Sequence, residues 1–346
     1  MAIFFDAPVS PEDVTTFTRN VPLPAGNKLS ALFPRVEKDS NTYDFAEIIR
    51  TNRTAKYRSF DGRIHVSERD VGSEKRVKLA PLSSSIGMGE YERLQVEFAK
   101  TGGTNQRALV ASIYNDAENL TNEVLNRMEL AWGDVLTDGK LTISEGGLVT
   151  EADYGLPANH SVSAATSWAT VATAQALSEI VSWVDTYVDT NGTKPGSILT
   201  SLKVQRLLLK NKEIIDAVYG STQGRTHVTL PDLNTLLSSE GLPTILDTYD
   251  TKLDVDGTST RVIADDKVLF LPDNLGDLGE TVYGLTATAL ELVNSAQADL
   301  SFENAPGIVG VVVKDGPPFR QWTYVDAVGQ PVLKDAKKLF VADVIA

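Results

Sequence analysis

Imidazoles are the scarcest reactive groups in this 346-residue chain: His65, His160 and His227 are all it has, and it contains no cysteine. Zinc needs converging ligands, most simply two histidines three or four residues apart on one helix face, and none of the three has such a neighbour. The lack of cysteine removes disulfides, thiolate nucleophiles and Cys-held zinc or iron–sulfur sites. No G-x-S-x-G elbow occurs; Gly220-Ser-Thr-Gln-Gly224 places threonine at its centre and reads as a loop. A Ser-His-Asp triad built from distant positions leaves no mark in one sequence, so a cofactor-free hydrolase stands as an alternative. Both phosphate-cradling patterns, G-x-x-x-x-G-K-[ST] and G-x-G-x-x-G, are missing, and Gly192-Thr-Lys-Pro-Gly196 reads as a turn. Asp250, Asp254 and Asp256-Gly257 hint at a calcium loop. Its first ligand position would be Lys252, however, and Ile263 stands where the closing glutamate belongs, so a hairpin turn fits better. Trp132, Trp168, Trp183 and Trp322 are scattered and suit core anchors rather than a sugar platform, and no carboxylate spacing singles out a glycosidase pair. The expectation is a chain with no catalytic residue, no cofactor and no metal.

Charge carries more information. Thirty-two basic against 46 acidic side chains give a net charge of −14, which argues against a protein that grips nucleic acid. A protein that encloses nucleic acid without binding it fits that sign. The charge is also unevenly placed. Residues 50–78 hold nine basic side chains against four acids, so this stretch is +5 and the rest of the chain −19. Within it, Arg63-Ile-His-Val-Ser67 and Lys75-Arg-Val-Lys-Leu79 alternate with period two, and Asp70-Val-Gly-Ser73 between them offers a turn. A long basic hairpin is predicted. Its bland reading is a solvated surface feature. Its functional reading is a loop that reaches an acidic surface of a neighbouring subunit, with Arg53, Lys56, Arg58, Arg63, Arg69, Lys75, Arg76 and Lys78 as contact residues.

Around that loop the elements read as architecture. Residues 1–48 form an arm: five of the fifteen prolines fall in the first 34 residues, too dense for a packed domain. Ser10-Pro11-Glu12-Asp13 starts a helix with a capping serine, proline at the first position and acids facing the dipole; Asn20-Val21-Pro22 must end it. The rest of the arm has to lie on another surface, of its own subunit or a neighbour. After Thr101-Gly-Gly103, the residues Leu109, Ile113, Ala117, Leu120, Val124, Met128, Ala131 and Val135 mark one face of a helix that Asp138-Gly139 closes. Thirty-odd residues at 1.5 Å each span roughly 50 Å, a spine rather than an ordinary helix. A short hairpin follows over 141–150. Residues 151–299 alternate helix and strand: one helix carries Leu177 to Val188, another Val204 to Ile214, and a third Pro231 to Leu237. Strands are predicted at 197–200 and 268–271, with a hairpin around Asp256-Gly257. The chain closes with strands at 307–313 and 320–325.

The start, Met1-Ala-Ile-Phe-Phe-Asp6, lacks the basic region and apolar length of a signal peptide, and no apolar run approaches the 18 residues of a membrane span. A soluble product made in the cytosol is expected.

Several stretches in order resemble the lambda-type (protein E) family of major capsid proteins of tailed phages. They are Leu32-Phe-Pro34; Pro81-Leu-Ser-Ser-Ser-Ile86 before Glu90-Tyr-Glu92; Val268-Leu-Phe-Leu-Pro-Asp273 followed by Gly279-Glu-Thr-Val-Tyr-Gly284; and Trp322, Ala327-Val-Gly-Gln-Pro-Val-Leu333 and Asp335 to Val344. The resemblance implies an α+β chain of the Hong Kong 97 capsid fold. On it, 1–48 is the N-arm, 49–90 the extended loop, 91–150 a peripheral domain with the spine helix, 151–299 a compact α/β axial domain, and 300–346 a return to the peripheral domain. It further implies a homo-oligomer of pentamers and hexamers that encloses double-stranded DNA in a virion, assembled in the cytoplasm of a bacterial host. Scaffolding, portal and decoration proteins are then candidate partners, with no membrane and no sequence-specific DNA contact. No scaffold-like extension precedes the arm, so a scaffold would be a separate protein. A cellular encapsulin-type compartment is the alternative on the same fold.

Overall fold

The computed structural model of the chain describes residues 2–4, 9–48, 72–91, 105–221, 224–294, 305–316 and 320–345. Its longest element is the helix Asn105–Asp138, 34 residues. Ile113, Ala117, Leu120, Val124, Met128, Trp132 and Val135 are all 3% exposed or less, continuing the three-and-four spacing that faces one side of a helix. The buried face drifts from Ala131 to Trp132, because 3.6 residues per turn rotates a strict repeat slowly around the axis. Gly139, at φ 74°, takes the left-handed cap and donates its N–H to the Val135 carbonyl at 2.9 Å.

This helix lies on a six-stranded sheet whose centre is the strand Arg320–Leu333. That strand pairs antiparallel with Val309–Gly316, Pro81–Met88 and Gly279–Tyr283. Leu120, Val124, Leu125 and Met128 pack against Tyr283, Ile308, Val325 and Ala327, and each fully buried aliphatic side chain contributes about 1.5–3 kcal/mol.

The arm finds its partners within the subunit. Ser10 caps the helix Pro11–Asn20 by accepting from the Asp13 N–H at 3.1 Å, and Val14 is fully buried. The helix sits directly on the strand Val309–Gly316. Thr15 donates its hydroxyl to the Gly310 carbonyl at 2.9 Å, and a Cβ at Gly310 would come within 2.6 Å of Thr18 Cγ2. Arg19 donates to the carbonyls of Ile308 (3.0 Å) and Pro306 (2.9 Å). Ala2–Phe4 adds an antiparallel edge to the same strand, and Arg35–Glu37 runs parallel to Gly279–Tyr283. The proline-rich composition hid a handful of buried anchors: Val9 and Val14 join one core cluster with Ile113, and Leu29 and Phe33 join another with Trp132.

A second, five-stranded sheet has the order 244–248, 197–200, 267–271, 340–343, 161–163. Helices Ala176–Asn191, Leu202–Leu208, Lys212–Tyr219 and Leu230–Ser239 pack their apolar sides into its core. Phe270 and Phe340 meet edge to face at 5.6 Å, and Trp168 stacks with Trp183 at 5.7 Å. The single helix expected through Val204 and Ile214 is two. Asn211 breaks it, accepting from the Ile214 N–H at 3.2 Å to cap the second while donating to the Ala174 carbonyl at 2.8 Å.

Two strands pair across the expected division. The strand Gly279–Tyr283, placed at first with 151–299, belongs to the first sheet, and Phe340–Asp343, placed with the closing return, belongs to the second. The strand Lys267–Leu271 is buried on both faces: Leu269 and Leu271 join the core that holds Trp132, while Val268 and Phe270 join that of the second sheet. A strand that contributes one face to each of two cores gives no compositional seam at which a sequence could be cut.

Candidate assembly interface

The groups with chemical potential are tied into structure. His160 is fully buried, its Nδ1–H directed to the Leu339 carbonyl at 2.9 Å and its Nε2 at 3.0 Å from the Thr190 hydroxyl. Burial holds its imidazole below the usual histidine range, so it stays neutral as a core residue. His227 is exposed, and His65 lies outside the described residues. Among the described residues no three His, Asp or Glu side chains converge on a metal site, and no helix is long and apolar enough to cross a membrane.

The most demanding polar group is Glu129, on the buried side of the long helix. Its carboxylate accepts from the N–H groups of Leu29 (2.9 Å) and Ser30 (2.7 Å), from the Ser30 hydroxyl (2.7 Å) and from the Tyr249 phenol (2.7 Å). Burial and then this carboxylate push the Tyr249 phenol up, which keeps it protonated as the donor. One side chain thereby locks the arm and the segment after Thr244–Thr248 onto the helix. Asn27 adds a bond to Asn126 at 2.9 Å. Glu129→Ala would leave these donors without their acceptor, at about 1–3 kcal/mol for each that stays buried. The expected result is a loss of roughly 3–5 kcal/mol in urea unfolding, with Glu129→Gln intermediate because its amide keeps one acceptor.

The basic hairpin differs from its expected form. The strand Gly72–Lys78 pairs antiparallel with Thr42–Ile48, from Thr42 opposite Lys78 to Ile48 opposite Gly72. Its predicted partner, Arg63 to Ser67, lies outside the described residues, and Gly72 and Ser73, read as turn, are strand. Alternation reports a strand but not which strand it meets, and the arm's last segment supplied the partner.

The root of this hairpin is pinned to the core. Tyr43 donates its phenol to Glu280 at 2.6 Å, and Glu280, itself buried, is ion-paired with Lys334. Burial first, then the Glu280 hydrogen bond, push the Tyr43 phenol up. The Lys38 ammonium sits over the Tyr43 ring at 5.7 Å, and the Leu79 N–H reaches the Asn41 carbonyl at 2.9 Å. Of the eight predicted contact residues, Arg53, Lys56, Arg58, Arg63 and Arg69 lie outside the described residues. Lys75, Arg76 and Lys78 share one strand, where Arg76 and Lys78 are exposed. Tyr43, Glu280 and Glu129 were missed by sequence reasoning. The one signal was positional: Glu129 lies between Leu125 and Trp132 on the buried side of the helical wheel.

Comparisons with known proteins agree with this arrangement. No curated protein sequence matches the chain. A solved structure described as a prophage capsid protein of Escherichia coli CFT073 superposes with a TM-score of 0.62 at 15% identity, covering 98% of this chain and 99% of that one. A phage-related protein from Bordetella bronchiseptica RB50 superposes at 0.58 with 12% identity, over 99% and 98% of the two chains. At these identities the likeness is one of fold, and that fold is the expected phage capsid fold. The sequence profile of the family described as phage major capsid protein E matches residues 13–302, and the chain belongs to that family.

Proposed function

We propose that this chain is the repeating subunit of an icosahedral phage head, assembling into pentamers and hexamers that enclose double-stranded DNA. The observation that carries this reading is family membership across residues 13–302, in a chain whose basic hairpin is rooted in the core at Tyr43 and Glu280. The role is structural rather than enzymatic. The eight basic residues from Arg53 to Lys78 serve contacts between subunits, and the chain functions in the virion after assembly in a bacterial cytoplasm. Scaffolding, portal and decoration proteins are partners consistent with that role. Electron microscopy of the purified protein tests it: closed particles or capsomers support it, whereas a monodisperse 37.4 kDa monomer at high concentration counts against it. Particles filled with a cargo enzyme instead of DNA would point to a cellular compartment.

The net charge of −14 makes the shell a container. Free subunits are expected to leave duplex DNA unretained in a gel-shift assay at physiological salt, because phosphate binding draws on clustered Lys and Arg. Tight binding would overturn the containment reading.

A further inference from the structure

The chain contains a single Asn-Gly pair, Asn191-Gly192, and it stands where the helix Ala176–Asn191 ends. Glycine has no side chain to hinder its backbone nitrogen from attacking the side-chain carbonyl of a preceding asparagine, so this pair is the chain's most labile amide. In the fold both reacting groups are held. Gly192, at φ 71°, caps the helix, and its N–H, which carries the attacking nitrogen, donates to the Val188 carbonyl at 2.7 Å. The Asn191 side-chain amide, which would leave, donates to the carbonyls of Tyr187 at 3.1 Å and Lys337 at 2.9 Å. Gly192 is exposed, so water has access to the pair. The bond to Lys337 belongs to a larger tie. Residues 334–339 carry the chain from the strand Arg320–Leu333 of the first sheet to Phe340–Asp343 of the second. Three successive carbonyls of that crossover accept from side chains: Lys337 from Asn191, Lys338 from Tyr187 at 3.3 Å, and Leu339 from His160 at 2.9 Å.

We infer that Asn191 is a site of spontaneous covalent modification, and that loss of its amide unties the helix end from this crossover. Local opening of the last helical turn frees both groups at once. The Gly192 nitrogen then gives up its proton and bonds to Asn191 Cγ, the Cγ–Nδ2 bond breaks, and the amide leaves with one proton as ammonia. Water adds to either carbonyl of the resulting cyclic imide and leaves aspartate or isoaspartate. A carboxylate only accepts, so its lone pairs face the Tyr187 and Lys337 carbonyls where the amide had offered two N–H donors. Isoaspartate also inserts an extra methylene into the backbone at the helix end. A chain that stays closed keeps its amide, and one that opens here records the event in a bond.

Peptide mapping of the whole chain aged at mildly alkaline pH, in buffer and in urea, tests the chemistry. In urea Asn191 should convert before every other asparagine. In buffer its conversion should be about tenfold or more slower, because the two hydrogen-bonded groups must first come apart. Earlier conversion of another asparagine in urea, or equal rates in the two conditions, would overturn the inference. Amide hydrogen exchange tests the consequence. Asn191→Asp should speed exchange across residues 188–192 and 336–339 and leave the strands Ser197–Thr200 and Lys267–Leu271 as they are. Wild-type chain aged to partial conversion and separated by charge should show the same change, which keeps the test decisive if the variant folds poorly. Unchanged exchange in both segments of the converted chain would overturn the untying.

Discussion

Replacing Leu120 by aspartate is expected to leave the chain unfolded or aggregated, and Val124→Asp to do the same. Both side chains are at most 3% exposed, set between the long helix and the strands that hold Val325 and Ala327. Truncating a buried leucine alone costs about 2–5 kcal/mol. A carboxylate among these apolar side chains adds several kcal/mol more by the transfer argument. Folded domains keep a margin of only about 5–15 kcal/mol, so the sum approaches the whole stability. Asn122→Asp is the control. It sits two residues away on a partly exposed flank and should change stability by no more than about 0.5 kcal/mol. Soluble expression and thermal melting of the three variants decide the matter; equal behaviour would show that this face is not a core.

The second large effect is on assembly alone. Reversing Arg58, Arg63, Arg69 and Arg76 to glutamate is expected to give a folded, soluble subunit that forms no stable heads. The root of the hairpin is held by Tyr43, Glu280 and Leu79, none of which is altered, so folding should survive. A single exposed ion pair is worth about 0–1 kcal/mol. A shell repeats the contact in every subunit, so a small loss at each decides whether it closes. Wild-type assembly should weaken with added salt in the same direction, since the Debye length falls from about 8 Å at physiological strength to about 3 Å at 1 M. Circular dichroism with electron microscopy separates the outcomes. Normal particles would return the hairpin to a passive solvated role, and an unfolded subunit would place it in a core.

Local rules explain what the sequence determined by itself. The long helix, its cap at Gly139, the serine-capped arm helix, the hairpin at Asp256-Gly257 and the buried strand before Pro272 depend on periodicity and turn chemistry within a few residues. The absence of cysteine and the segregation of charge are likewise properties of the chain alone, and they pointed away from chemistry toward assembly. Tertiary structure decided the pairings. Alternation at 75–79 announced a strand, but only the fold showed that Thr42–Ile48 is its partner. The split of the closing segment between two sheets, and the capture of Gly279–Tyr283 by the first, depend on contacts tens of residues apart. Glu129 and Glu280 read as ordinary polar positions because a buried carboxylate is recognisable only from its donors. Those donors, Leu29, Ser30 and Tyr249 for one and Tyr43 and Lys334 for the other, come from chain that is distant in sequence and adjacent in space.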